Sequence, residues 1–251
     1  MGMINRGGAI LVTGATGAIG FEIAAQAAEA GAVVGVHGSG AESVSRAIAR
    51  LNERIPNTHL ISAPADFRVP GAIAAMVDKV AHDGGGLSAI IHCGITGARG
   101  VVGTYSTLDP TNFAEHAGLV LGSFQTLCHS ALPHLSKQGG TIIGFASDAG
   151  RFAAPRQAVI GAAFGGLMSF VRNLSVEVAR QNVRVHCISP SFVADTPVFE
   201  THAARAETAT ARAGLGLPTP ADIAPIALFL CGPNASKITG QIISINGGLN
   251  A

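Results

Sequence analysis

Few side chains in this sequence are placed to do chemistry. Ser147 closes the apolar run Thr141 to Ala146 and opens the stretch SDAGRFAAPRQAVIGAAFGGL. A serine hydroxyl becomes a useful nucleophile or proton donor only beside a group that activates it. The ionisable residues that follow, Asp148, Arg151 and Arg156, read as solvated loop charges. His92 lies at the end of the run Leu87 to Cys93. Its imidazole titrates near neutral pH and could serve as a relocated acid or base, although a lone histidine at a strand end is more often a satisfied core residue. Tyr105 is the single tyrosine of the chain and sits in a glycine-bearing loop. Altered, non-redox chemistry such as a dehydration would have to rest on His92, Asp148 or Tyr105.

A second cluster of interest is built from backbone. The apolar run Ala9 to Thr13 leads directly into GATGAIG and then a helical pattern from Ala18 to Ala30. A strand, a glycine turn and a helix N-terminus together present amide groups to an anion, the arrangement that holds a dinucleotide pyrophosphate. Gly14, Gly17, Ile19 and Gly20 are the candidate phosphate contacts. About 20 residues further on, such sites carry an acidic residue for the adenosine ribose or a basic one for a 2′-phosphate. Here the second strand, Ala32 to Val36, ends in His37-Gly38-Ser39, with neither. Asp66, after the third strand (His59 to Ala63), stands either beside an adenine or as the cap of a helix starting near Val69.

These motifs resemble the short-chain dehydrogenase/reductase family over nearly the full length. The resemblance implies a catalytic Ser at Ser147, followed by a helix carrying Tyr-x-x-x-Lys. Gly150, Gln157, Ala158, Gly166 and Leu167 fall on common family choices, but the Tyr position holds Ile160 and the Lys position holds Phe164. The two lie one helical turn apart and share a face. The Asn that the family uses in its water relay falls at Leu119, and its cofactor-contacting Thr at Asp195 or Thr196. The TGxxGxxG spacing itself resembles extended family members, whereas the short form would need Gly where Ala18 stands. The end of the chain, TGQIISINGG, is among the closest matches.

The resemblance therefore implies a dehydrogenase scaffold without its acid/base pair. Proton transfer by a placed side chain contributes about 10²–10⁴-fold, and neither Ile nor Phe supplies it. The expected cofactor state is no dinucleotide or weak NAD(P) binding, with NAD held by an active partner. The family includes hetero-oligomers that join an intact subunit to a degenerate one. The expected partner is thus a catalytically intact homologue, in a hetero-oligomer of tetramer type. A nucleotide-sensing regulator is the remaining alternative.

The elements that must position these residues alternate between apolar strands and helical patterns. The expected fold is α/β: a Rossmann-like, doubly wound sheet of about seven parallel strands flanked by helices, one domain spanning 1–251. Helices are expected at Ala41 to Arg54, from Val69 to the Gly84-Gly85-Gly86 stop, at Thr111 to Ser136 and at Pro155 to Arg180. The lid-like segment Phe192 to Pro218 is poor in apolar anchors and reads as a mobile loop. Charged residues make up 12% of the 251, against about 25% in an average domain. That deficit points to surface buried against other subunits, and Ala117–Ser136 and Gln157–Val171 are the uncharged helices suited to it. A net charge of +1 without a basic run argues against nucleic acid or a membrane as partner. Four isolated cysteines read as reduced thiols of a cytoplasmic protein. The stretch before the first strand is too short for a signal peptide.

Overall fold

Continuous apolar runs become strands here because both faces of a parallel sheet are covered by helices. The structure, a computed structural model, describes residues 7–94, 100–201 and 203–250; the signal-peptide reading of the first residues falls outside them. Seven strands form one parallel sheet: β1 (Ala9–Thr13), β2 (Val34–Val36), β3 (Leu60–Ser62), β4 (Leu87–His92), β5 (Gly140–Phe145), β6 (Val183–Pro190) and β7 (Ile242–Ile245). Their order is β3-β2-β1-β4-β5-β6-β7. The chain direction across the sheet reverses between β1 and β4, which opens a crevice beyond their carboxyl ends.

Nine helices are seen among the described residues. α1 (Ala18–Glu29), α2 (Ala41–Arg54) and α9 (Pro220–Cys231) close one face of the sheet, around a core that includes Ile23, Val44, Leu51, Ile143 and Leu228. α3 (Ala72–Asp83), α5 (Ser123–Leu135) and α6 (Ala158–Glu177) close the other, around Val77, Phe124, Leu127, Ile142 and Leu167. α4 (Thr111–Ala117) runs through a π-helical turn, Gly118–Gly122, into α5. Two shorter helices, α7 (Pro197–Thr201) and α8 (Ala203–Arg212), complete the set.

Several expectations shift. The helix expected from Val69 begins at Ala72, because Gly71 takes φ +80° and cannot be helical. The helix expected from Pro155 begins at Ala158, after Arg156 at φ +69°. The expected loop Phe192–Pro218 contains α7 and α8 instead, with Ala209 and Ala213 buried. Small alanine methyls anchor α8 where no large apolar residue was available. α6 is long and apolar enough to cross a membrane by composition, yet Leu167, Met168 and Val171 are buried in the domain's own core.

Candidate active site

At the crevice, the glycine turn is shaped by close backbone approach. Gly14 sits at φ +69°, and a Cβ there would lie 2.7 Å from Gly94 Cα; one on Gly20 would lie 2.4 Å from Gly14 O. A side chain at either place would push β1 away from β4 or α1 away from the turn. The amides of Ala18, Ile19 and Gly20 open α1 and have no intrahelical acceptor. Beside the turn lies a cavity of about 780 Å³ lined by Gly14, Thr16 and Gly17, by His37 to Ser39, Ala65 to Arg68 and Cys93-Gly94, and by Asn112, Glu115, His116 and Leu119. The crevice therefore persists at a size suited to a small ligand.

His37 is not a passive absence at the end of β2. Its Nδ1 accepts the Gly14 amide at 3.0 Å, and its Nε2 lies 3.0 Å from Ala65 O. A carbonyl only accepts, so Nε2 carries the proton and the ring is neutral. Burial pushes its pKa down to about 4. The ring stacks on Phe67 at 4.6 Å and 14°, and Phe67 on His92 at 5.9 Å. His92 stacks in turn on Phe124 at 5.4 Å. These four rings make a column from the end of β2 to α5.

His92 itself is fully buried, with Nδ1 2.7 Å from Thr13 Oγ1 and Nε2 without a partner among the described residues. The reading as a satisfied core residue thus holds for one nitrogen of two. Burial holds its pKa down near 3, so it stays neutral. Asp66 lines the cavity, but its Oδ1 accepts from Arg68 N at 3.0 Å. As α3 starts only at Ala72, Asp66 closes its own turn and caps no helix, which corrects that alternative. Arg68 pairs with Asp66 at 3.6 Å and with Glu115 at 3.5 Å.

At the carboxyl end of β5, Ser147 Oγ accepts from Ala149 N at 3.4 Å and caps the short turn Asp148–Gly150. Asp148 is not a solvated loop charge, and that expectation is overturned. It is buried: Oδ1 accepts from Ser189 at 3.2 Å, and Oδ2 from Asn246 at 2.7 Å and Asn250 at 3.1 Å. It pins the ends of β5 and β6 to the C-terminal segment. Arg151 is exposed and donates to Ser244 Oγ at 2.6 Å; Arg156 is exposed as expected.

Ile160 and Phe164 are both buried, in the same core cluster as Phe124 and Leu167. α6 comes close to the turn after β5 because Gly150 lets it: a Cβ on Gly150 would lie 2.8 Å from Gly165 N. Leu119 falls inside the π-helical turn and lines the cavity, and its carbonyl accepts from Ser123 Oγ at 2.5 Å. Tyr105 is 63% exposed and stacks on Phe113 at 5.9 Å. Asp195 stands at φ +58°, while Thr196 is buried, donates to Val193 O and accepts from Phe199 N, opening α7. Among the described residues all four cysteines are free; Cys93 is half-buried at the cavity and the other three are buried. No cluster of three metal-binding side chains occurs among the described residues.

Sequence reasoning missed three residues: His37 as a hydrogen-bonded ring, Phe67 as its stacking partner, and Asn246 as the partner of Asp148. A histidine about 20 residues after the glycine turn was the available signal for the first.

Comparison with known proteins places these features. The family pattern described as enoyl-(acyl carrier protein) reductase matches residues 14–250. A 3-oxoacyl-[acyl-carrier-protein] reductase of Chlamydia muridarum is 31% identical over 98% of both chains. A D-beta-hydroxybutyrate dehydrogenase of Rhizobium meliloti is 30% identical, covering 96% of this chain and 98% of the relative. A crystal structure of a dehydrogenase/reductase from Sinorhizobium meliloti superposes with a TM-score of 0.89 at 23% identity, covering 100% of this chain and 98% of the other.

Proposed function

The chain belongs to the short-chain dehydrogenase/reductase family, and we propose that within it this protein is a degenerate subunit, the structural partner of a catalytically intact, NAD(P)-dependent hydroxyacyl dehydrogenase. One observation carries the reading. Ile160 and Phe164, at the positions where the resemblance calls for Tyr and Lys, are packed into the core of the domain. Neither can give or take a proton, and neither can hold a ribose hydroxyl by charge.

The other candidate acids and bases do not rebuild the site. Asp148 is committed to Ser189, Asn246 and Asn250. Tyr105 is turned to solvent, and His92 is stacked between Phe67 and Phe124. The residues present also fit a dinucleotide poorly: His37 stands where an acidic ribose ligand would, and Phe164 offers no cation. The chain thus holds no dinucleotide or holds it weakly, and the partner binds NAD. The partner is an intact Tyr-x-x-x-Lys homologue, and the assembly is a cytoplasmic tetramer. Among hetero-oligomeric relatives of this kind, the chain resembles the degenerate subunit of the dehydrogenase acting on 2-[hydroxy(phenyl)methyl]succinyl-CoA in anaerobic toluene breakdown. The low charge content and the uncharged exposed stretches of α5 and α6 support burial against another subunit.

A second reading, a nucleotide-sensing regulator, has one observation in its favour: the glycine turn still faces a cavity of about 780 Å³. Co-expression with the nearest intact homologue, followed by sizing and an activity assay, decides between the two. Co-purification with activity that vanishes without this chain is the expected result. A homo-oligomer that ignores the homologue, while the homologue works at full rate alone, would overturn the proposal.

A further inference from the structure

The absence of a ribose carboxylate is not by itself what closes this crevice to an adenosine group. The cavity is large, and the glycine turn keeps its shape, yet the polar handle nearest the end of β2 is already used. A dinucleotide in this fold sets its pyrophosphate at the start of α1 and its ribose against the residue about 20 positions past the turn. In this chain that residue's own ring takes the Gly14 amide at 3.0 Å and the Ala65 carbonyl at 3.0 Å. Both contacts are in line with a single neutral tautomer, so neither is idle. Phe67 lies flat on the ring at 4.6 Å, and behind Phe67 stand His92 and Phe124. A nucleoside that takes the place of the imidazole must strip His37 of two hydrogen bonds at once. The ring has little room to retire behind Phe67, because the next place in the column is filled.

We infer that His37, braced by Phe67, is the specificity-determining residue of the crevice: an internal stand-in for the ribose that makes this chain refuse adenosine nucleotides while leaving the anion-binding turn intact. The inference rests on the reading above that the chain holds no dinucleotide, and it assigns that property to one residue. It also separates the two halves of the site. If His37 is the obstacle, opening it restores binding of a ligand that reaches only the nucleoside and phosphate positions, whatever Phe164 does further along.

ADP is such a ligand, and NADH is the control that must also pass Ile160 and Phe164. Calorimetric titration of the full chain with each is the test, on the unaltered protein, on His37→Asp and on His37→Ser. The unaltered chain is expected to bind neither appreciably. His37→Asp, which opens the place and supplies a carboxylate, is expected to gain at least about tenfold in ADP affinity, the worth of one charged hydrogen bond. His37→Ser, which only opens it, should gain less. Folded variants, judged by a cooperative thermal melt, that gain nothing for ADP would overturn the inference and leave the reading above standing. Micromolar NADH binding by the unaltered chain would overturn the reading itself. A measurement free of variants runs beside these: nitrogen NMR of the histidine side chains in the unaltered protein. It should show His37 protonated at Nε2 only, with no shift on addition of ADP, and an ADP-dependent shift of that ring would equally overturn the inference.

Discussion

On the proposed reading, the α6 side and the β2 side of this domain differ from an oxidoreductase site in different ways. On the α6 side, Ile160 and Phe164 are packed into the core, and neither side chain can carry a proton. On the β2 side nothing is simply lost. His37 and Phe67 form polar and stacking contacts of their own, and the glycine turn beside them keeps its strict backbone geometry. Packing is hard to reverse, because a restored polar group must be buried without partners. A hydrogen-bonded ring is easier to exchange for another polar group. A scaffold of this kind is therefore rigid on the α6 side and convertible on the β2 side.

The largest effect expected is acid lability of the β2 side and the sheet beneath it. His37 is held neutral by burial with its pKa near 4, His92 near 3, and His186 in β6 near 4. The unfolded chain takes up these protons below about pH 6.5 while the folded chain does not. Stability is therefore full above pH 6.5 and falls as pH drops toward 4, by on the order of 3 kcal/mol for each imidazole. Chemical denaturation across that range checks this; a flat stability profile would mean these rings are not neutral in the fold.

Next in size is the attempt to rebuild the α6 side. Ile160→Tyr with Phe164→Lys places an uncompensated ammonium in the core, at a cost of about 3–5 kcal/mol. Thermal melting should report the loss, and the variant should stay without turnover because Leu119 offers no polar side chain. A stable, active double variant would show that the α6 side is convertible after all. Asp148→Ala comes third: Asn246, Asn250 and Ser189 lose a shared acceptor, costing about 2 kcal/mol, and hydrogen exchange should rise at the C-terminal segment. Smallest for the isolated chain is Phe170→Asp. Phe170 is half-buried and meets Phe124 in a T-shaped contact, so about 1 kcal/mol is expected, while co-purification with the partner should be lost. Leu167 is fully buried within the chain, so a charge there would test folding and not assembly.

What was legible in the sequence depended on whether the signal was local. Ala9–Thr13 and Leu87–His92 read as strands because a doubly covered parallel strand is apolar throughout. The Ile160–Phe164 pair was legible through the family resemblance, and helical spacing added that the two share a face. Helix starts at Ala72 and Ala158 were displaced by positive φ at Gly71 and Arg156, and such angles leave little trace in hydropathy. Asp148 was misread because its partners Asn246 and Asn250 lie about a hundred residues away, and only the closing of β6 and the C-terminal segment brings them together. His37 was seen as a missing carboxylate because its two contacts, Gly14 N and Ala65 O, come from different strands' ends.

Alone, this chain is expected to perform no hydride transfer. The direct measurement is turnover of the purified protein with a panel of secondary alcohols and 3-ketoacyl thioesters, at saturating NAD(H) and NADP(H). The account predicts no rate above the uncatalysed background until an intact homologue is added. Turnover by the isolated chain at a rate normal for the family would contradict it.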